Sequence, residues 1–231
     1  MREIILDTET TGLSAAEGHR IVEIGAVELL NHVPTGKTFH VYINPERDMP
    51  KEAEAVHGLS AAFLKDKPVF SAIVEDFVRF IGEATLVIHN AQFDMGFINA
   101  ELSYVDRQPV DYGQVVDTLQ IARRKFPMAS NSLDALCKRF GIDNSRRTKH
   151  GALLDAELLA EVYLELIGGR QTAMDLVAAE AARPKTLAVS RASQSLQRVR
   201  QLPPRLSAEE EAAHAALVKD LGTEAIWLKY N

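Results

Sequence analysis

A run of three large apolar residues near the start of the chain, Ile4, Ile5 and Leu6, ends in two acids, Asp7 and Glu9. Such a run is typical of a strand that is buried on both faces. Because side chains alternate along a strand, Asp7 and Glu9 point the same way, with their carbons about 7 Å apart. That separation suits a pair of metal ions about 4 Å apart. Taken alone, the two acids fit a solvated strand end better than they fit a site.

The pattern that follows predicts an α/β protein. β-Branched and aromatic residues predict strands at 2–8, 20–30 and 37–44, with a hairpin turn at 34–37. A further short strand is predicted at 85–89. Apolar residues at helical spacing predict helices at 70–83, 93–105, 118–125, 132–140 and 152–167. This order favours a mixed central β-sheet flanked by helices.

Composition divides the chain into three parts. Residues 1–170 are enough for one catalytic domain. Residues 171–205 contain three prolines and carry a net charge of +4, which indicates a flexible basic linker. Residues 206–231 form an acidic tail, in which Ser207 and Glu210 have the spacing of a capping box and predict a short helix.

The whole-chain composition excludes several classes of protein. The single cysteine, Cys137, rules out an internal disulfide framework and favours a reducing compartment, so we expect a cytoplasmic protein. We expect no signal peptide and no membrane partner, since no apolar run approaches 18 residues. A net charge of −6 also means that bulk electrostatic attraction cannot hold a nucleic acid here.

Two further acids stand where apolar side chains are expected. On the predicted helices, Asp94 and Asp155 each begin the apolar stripe that should face the sheet. A salt bridge would explain one buried acid, but we find no matching Arg or Lys near the four acids in the sequence. Divalent cations would satisfy all four, and oxygen-only ligation favours Mg²⁺ or Mn²⁺ over zinc. His150, in the loop before the helix that carries Asp155, has a suitable pKa range for a general base.

With these residues assembled, the chain resembles the DnaQ-type (DEDDh) 3′→5′ exonucleases. Three segments carry the resemblance in order: LDTETTGL, VIHNAQFDMGFI and RTKHGALLDAELLAEVY. FHVYINP, VHGLS and NSLDALCKRFGIDNS add a narrower similarity to the epsilon subunits of bacterial DNA polymerase III, which proofread. The resemblance implies an RNase H-like fold over residues 2–170 and release of nucleoside 5′-monophosphates from a single-stranded or frayed DNA 3′ end.

The resemblance also implies roles for individual residues. Asp7, Glu9, Asp94 and Asp155 would hold two divalent ions, and His150 would be the general base. By the same resemblance, the substrate would contact Asp7, Glu9 and Asp155 and also four further residues. These are Thr10, Glu52, His57 and Asn90.

Two partners are implied for the remainder of the chain. Residues 171–176 (QTAMDL) resemble a sliding-clamp peptide, and residues 206–231, which include the only tryptophan, Trp227, would bind the polymerase catalytic (alpha) subunit. Two alternatives stay open. An RNA-trimming exonuclease of the oligoribonuclease or RNase T type would share the chemistry but differ in substrate. A noncatalytic assembly subunit would need none of the four acids.

Overall fold

The computed structural model describes residues 1–168 and 207–221, the first within one compact unit and the second within another. The first contains a five-stranded mixed sheet in the order β3-β2-β1-β4-β5. β1 pairs antiparallel with β2, and β2 with β3, whereas β1–β4 and β4–β5 are parallel. The strands are β1 (Arg2–Thr10), β2 (Ile21–Leu30), β3 (Val33–Tyr42), β4 (Thr85–Ile88) and β5 (Val115–Asp117).

Seven helices and two short 3₁₀ turns surround this sheet in residues 1–168. The 3₁₀ turns are Ala15–Glu17 and Tyr112–Gln114. The helices are α1 (Lys51–His57), α2 (Ala61–Leu64), α3 (Phe70–Ile81), α4 (Ala91–Tyr104), α5 (Thr118–Lys125), α6 (Leu133–Phe140) and α7 (Ala152–Ile167). All five predicted long helices are present, with bounds that differ by at most two residues. The predicted mixed sheet flanked by helices is confirmed.

Alternation along β1 explains why three successive residues of the strand, Ile4, Ile5 and Leu6, are all apolar. Ile4 and Leu6 pack on one side of the sheet, in the cluster formed with α3 and α4. Ile5 faces the other side, where it joins Val87 of β4 and residues of α7. Helices on both faces therefore cover the strand, and its carboxyl end carries Asp7 and Glu9. Open α/β sheets bind their ligands at such an end.

The predicted hairpin turn at 34–37 is wrong. The chain reverses instead at Asn31 and His32, which have φ of 50° and 65°. A two-residue turn with positive φ at both positions matches the right-handed twist of the strands that it joins. Residues 34–37 lie inside β3, where the register with β2 shifts between Val27 and Leu29, so the Pro and Gly mark an irregularity in an edge strand.

The remaining differences concern short elements. β5 was not predicted, because three residues are too few to show an alternating pattern. α1 and α2 are likewise helices of seven and four residues that the sequence pattern did not indicate.

The second described segment consists of α8 (Ala208–Leu221). The predicted capping box is present: the Ser207 backbone N–H donates to Glu210 Oε2 at 2.8 Å, and the Glu210 N–H donates to Ser207 Oγ at 3.3 Å. The predicted linker 171–205, the clamp peptide 171–176 and Trp227 lie outside the described residues.

Candidate active site

Asp7 and Glu9 occupy the carboxyl-terminal end of β1, as their spacing predicted. Opposite them on β2 are Gly25 and Glu23, in register with Asp7 and Glu9 respectively. The register shifts between Glu9 and Thr10, so the strand becomes irregular immediately after the second acid. Glu9 is 8% exposed, and its Oε1 has no hydrogen-bond partner among the described residues. An unpaired buried carboxylate oxygen is costly unless a ligand satisfies it.

Gly25 allows the helix that carries Asp155 to approach the sheet. A Cβ at this glycine would lie 2.1 Å from the backbone N of Leu153 and 2.2 Å from the carbonyl carbon of Ala152. The first turn of α7 therefore rests directly on the β2 backbone, beside Asp7 on the neighbouring strand. This contact sets the distance between Asp7, on β1, and Asp155, on α7.

Asp94 reaches the same end of β1 from α4. Its Oδ1 accepts hydrogen bonds from the Thr8 N–H at 3.0 Å and from Thr8 Oγ1 at 2.7 Å, and the residue is 3% exposed. Asn90 immediately precedes the helix with φ of 65°, a left-handed conformation that asparagine tolerates better than most residues. The turn from β4 into α4 thus places Asp94 against β1.

Asp155 begins α7 and is also 3% exposed, but it is not without a basic partner. The Arg147 side chain donates from Nε to Asp155 Oδ1 at 2.5 Å and from Nη2 to Oδ2 at 2.7 Å. The same guanidinium donates from Nη1 to Asp134 at 2.9 Å. The expectation that no arginine lies near the four acids is therefore wrong for Asp155. Arg147 is eight residues away in a loop, where no periodicity reveals which way a side chain points.

The three other acids form an electrostatically unfavourable cluster. Burial, followed by the charges of Asp94, Glu9 and Asp155, raises the pKa of Asp7 well above its usual value. Burial, followed by Asp155 and Glu23, raises the pKa of Glu9 to about 8. Burial also raises the pKa of Asp94 to about 7, although its hydrogen bonds with Thr8 oppose this effect. These carboxylates need a positive charge that Arg147 alone does not supply.

The donor set suits a divalent cation. Ligand atoms of Glu9, His150 and Asp155 lie within 4.8 Å of one another, and Glu9 Oε1 has no hydrogen-bond partner among the described residues. Carboxylate oxygens are hard ligands and an imidazole nitrogen is an intermediate one, and both bind divalent cations in proteins. The residues present therefore fit a divalent cation.

His150 lies at the open side of this cluster, with its side chain 48% exposed. Its Nδ1 accepts a hydrogen bond from Arg147 Nη2 at 2.9 Å and lies 3.5 Å from Asp155 Oδ2. Because arginine can only donate, the lone pair on Nδ1 is occupied by Arg147. The histidine therefore lies beside the acids, with Arg147 bound to its Nδ1.

Three of the four further residues that were predicted to contact the substrate line one cavity. This terminal cavity, of about 510 Å³, is bordered by Thr10, Glu52 and His57 together with Gly12 and Leu13. His57 is 6% exposed, its Nδ1 accepts from the Leu59 N–H at 3.0 Å, and its Nε2 has no partner among the described residues. Since Nδ1 is the acceptor, Nε2 carries the proton and can donate to a ligand.

Asn90 does not line the terminal cavity. It borders a larger cavity of about 860 Å³ on the α7 side of the acids, together with Asp7, His150 and Asp155. The acid cluster therefore lies between two cavities, and Asn90 is at the second.

Comparison with known proteins agrees with this geometry. An exonuclease family model matches residues 4–163. The DNA polymerase III epsilon subunit of Rickettsia prowazekii is 59% identical over 180 residues, which are 77% of this chain and 79% of that protein. The Escherichia coli subunit is 45% identical over an alignment of 241 residues, covering 98% of this chain and 97% of that protein. The chain belongs to the epsilon subunits of the exonuclease family.

Solved structures show the fold of the epsilon-type chain independently. The nuclease domain of 3′hExo, a DEDDh family member bound to rAMP, has a TM-score of 0.63 at 17% identity, covering 72% of this chain and 91% of that one. Exonuclease X in complex with 5′ overhanging duplex DNA has a TM-score of 0.54 at 25% identity, with the same coverage of both chains. The fold is RNase H-like, as predicted.

Family membership also decides the class of reaction. As an exonuclease of the epsilon type, the chain is a 3′→5′ exonuclease that depends on divalent metal ions. The noncatalytic and RNA-trimming alternatives are not favoured. Within residues 1–168 and 207–221, no helix is both long enough and apolar enough to cross a membrane.

Proposed function

We propose that the chain is the proofreading subunit of a bacterial DNA polymerase III, and that it removes mismatched nucleotides from the 3′ end of DNA. The observation that carries this proposal is the clustering of four acids from three separate elements beside His150, with 45% identity to the Escherichia coli epsilon subunit along nearly the whole chain. A terminal pair must open before its 3′ nucleotide can enter the site. Mismatched ends open more easily, so no base-specific contact is needed.

In this proposal, Asp7, Glu9, Asp94 and Asp155 hold two divalent ions, Mg²⁺ or Mn²⁺. When bound, the ions lower the pKa of water and neutralise charge on the phosphate and on the departing 3′ oxygen. Thr8 holds the Asp94 carboxylate in place through two hydrogen bonds. Thr10, Glu52 and His57 bind the terminal nucleoside, with His57 Nε2 as a donor, and Asn90 contacts the scissile phosphate.

His150 takes the proton from the attacking water in this mechanism. Arg147 must first leave Nδ1, because its guanidinium occupies the lone pair of the ring. The same movement frees both oxygens of Asp155 for a cation. In this mechanism, cation binding by Asp155 and proton uptake by His150 therefore both depend on the movement of the Arg147 side chain.

The link predicts that Arg147 competes with the metal. Replacing Arg147 by glutamine should tighten Mn²⁺ binding at least about tenfold, since a charge-assisted pair contributes about 1.5–3 kcal/mol and Mn²⁺ would no longer have to displace it. Isothermal titration calorimetry of the protein without substrate measures this affinity directly. Arg146→Gln, an exposed change in the same loop, is the matched control and should leave it unaltered. Equal or weaker binding by Arg147→Gln would contradict the competition.

A substrate comparison tests the proposed function. Single-turnover release of the 3′ nucleotide should be faster from a mismatched DNA terminus than from the paired terminus of an otherwise identical duplex. A short RNA of the same sequence should be cut more slowly than single-stranded DNA. A folded protein that is inert on all DNA ends with Mg²⁺ and Mn²⁺, or that prefers RNA, would refute this function.

The partners belong to the same proposal. We assign the polymerase catalytic (alpha) subunit to residues 206–231, the sliding clamp to residues 171–176, and the cytoplasm as the compartment, which suits the buried thiol of Cys137. Deleting 206–231 should abolish co-purification with the catalytic subunit, and Gln171→Ala should weaken clamp binding. Neither change should alter hydrolysis of single-stranded DNA. Retained polymerase binding by the truncated chain would disprove the assignment.

A further inference from the structure

The larger cavity beside the acids, which we call the upstream cavity, is lined by several residues that have no role in the proposed reaction. It is lined by Asp7, His150 and Asp155 and by residues of α5 and of the loop 126–132 that leads into α6. Arg123 of α5 and Met128 of the loop both line it. At about 860 Å³, the upstream cavity exceeds the terminal cavity of about 510 Å³.

The loop 126–132 is held in a defined conformation. Asn131 is 8% exposed and donates from Nδ2 to the carbonyl oxygens of Phe126 at 3.2 Å and Ala129 at 3.0 Å. The guanidinium of Arg139 lies 4.3 Å from the centre of the Phe126 ring and donates to the Ser130 carbonyl at 3.4 Å. A loop tied at both ends in this way presents its tip in one position.

The tip residue is Met128. It has φ of 66° and is fully exposed at the rim of the upstream cavity. A left-handed backbone is unfavourable for a residue with a Cβ, and such strain clusters at functional sites. An unbranched, polarisable thioether makes favourable contacts with flat aromatic surfaces. The geometry thus offers the face of a nucleobase an apolar contact next to the catalytic acids.

Arg123 provides the matching positive charge. Within the described ranges, no hydrogen bond or ion pair involves its guanidinium. By contrast, Lys125, on the same helix, donates from Nζ to the carbonyl oxygens of Glu165 and Leu166 at 3.3 and 2.7 Å. These hydrogen bonds tie Lys125 to the end of α7. Arg123 also borders an adjoining cavity that Asn90 lines as well, so the guanidinium lies close to the catalytic centre. An uncommitted guanidinium in a groove is suited to a phosphate.

The position of the acids decides what enters the upstream cavity. A phosphodiester cut at the acid cluster has one nucleoside on each side. If the terminal nucleoside occupies the cavity of Thr10 and His57, the strand must continue on the α7 side. We propose that the upstream cavity binds the nucleotide 5′ of the scissile bond, with Arg123 contacting its phosphate and Met128 the face of its base. This inference rests on the proposed function.

Two substrates separate this contact from the chemistry. The p-nitrophenyl ester of thymidine 5′-monophosphate contains a terminal nucleoside and a scissile bond but no upstream nucleotide, whereas a thymidine hexanucleotide contains both. For Arg123→Gln, we expect the hexanucleotide-to-ester ratio of kcat/KM to fall about tenfold, as for the loss of one charge-assisted hydrogen bond. The slope of log KM for the hexanucleotide against log salt concentration should fall by about 0.7, the loss of one single-strand phosphate contact. Arg124→Gln, the adjacent arginine, is the matched control and should change neither quantity.

Met128→Gly provides a second test, which distinguishes a contact with the substrate from a purely structural role. Glycine tolerates φ of 66°, so the melting temperature should rise, while the hexanucleotide KM should increase about threefold, a modest share of a stacking contact. The upstream contact would be overturned if both variants kept the wild-type KM for the hexanucleotide, or if kcat/KM fell equally for the ester and the hexanucleotide. Either result would leave the proposed function standing. Failure of the wild-type protein to cut either substrate would refute the proposed function itself.

Discussion

Replacing Asp7 by asparagine should lower kcat at least about 10³-fold, equivalent to about 4 kcal/mol of transition-state stabilisation, and should make the metal-free protein more stable. In the proposed mechanism, activity falls because Asp7 is one of the four carboxylates that hold the ions. Stability rises because the carboxylate is held among Asp94, Glu9 and Asp155, with burial adding to the cost of its charge. A neutral amide of the same shape removes that repulsion.

Differential scanning calorimetry in a chelator and single-turnover hydrolysis with Mn²⁺ measure the two effects. At neutral pH we expect the free energy of unfolding to increase by about 1 kcal/mol. Asp76→Asn is the matched control, because that carboxylate is 69% exposed and pairs with Arg79 on the surface of α3. It should change neither property appreciably. An Asp7→Asn variant that unfolds, or one that retains activity, would contradict the account of this strand.

Replacing Gly25 by alanine should damage both stability and catalysis. The added methyl group would lie 2.1 Å from Leu153 N and 2.4 Å from the carbonyl oxygen of Ala152, so α7 must move away from β2. Overpacking of this kind costs about 1–3 kcal/mol. Because Asp155 moves with α7, we expect kcat to fall about 10²-fold, the effect of a misplacement of about 1 Å.

Gly96→Ala is the matched control for this substitution. Gly96 lies within α4, two residues after Asp94, and a Cβ there would meet no atom of the described residues within 4 Å. Alanine in a helix interior is about 0.5–1 kcal/mol more favourable than glycine, so this variant should be stabilised. Activity is to be measured well below the melting temperature of each variant. Normal turnover by Gly25→Ala would show that α7 does not need this close approach.

The acid cluster could be predicted because each acid breaks a regular pattern. Asp94 and Asp155 occupy apolar positions of long helices, and Asp7 follows an apolar strand, so each one conflicts with the burial of its own element. The large elements of the fold followed from the same periodicities. Individual roles of Thr10, Glu52, His57 and Asn90 rested on resemblance and stay predictions, although the first three border one cavity.

What the sequence did not indicate depends on contacts between distant segments. Arg147 lies in an irregular loop, and its approach to Asp155 is set by tertiary structure alone. The role of Gly25 becomes visible only in the structure, where the backbone of α7 contacts it closely. The turn at Asn31 and His32 contains neither Gly nor Pro, whereas PTGK contains both, so local composition pointed to the wrong four residues. Local patterns identified which residues were unusual, but not what lies beside them.

A titration of the metal-free protein with Mn²⁺ in the presence of thymidine 5′-monophosphate tests the central claim most directly. If Asp7, Glu9, Asp94 and Asp155 hold the catalytic ions, calorimetry should give two Mn²⁺ per chain for the wild-type protein and at most one for Asp7→Asn. Wild-type protein that binds no Mn²⁺, or an Asp7→Asn variant that binds two ions as tightly as the wild type, would contradict it.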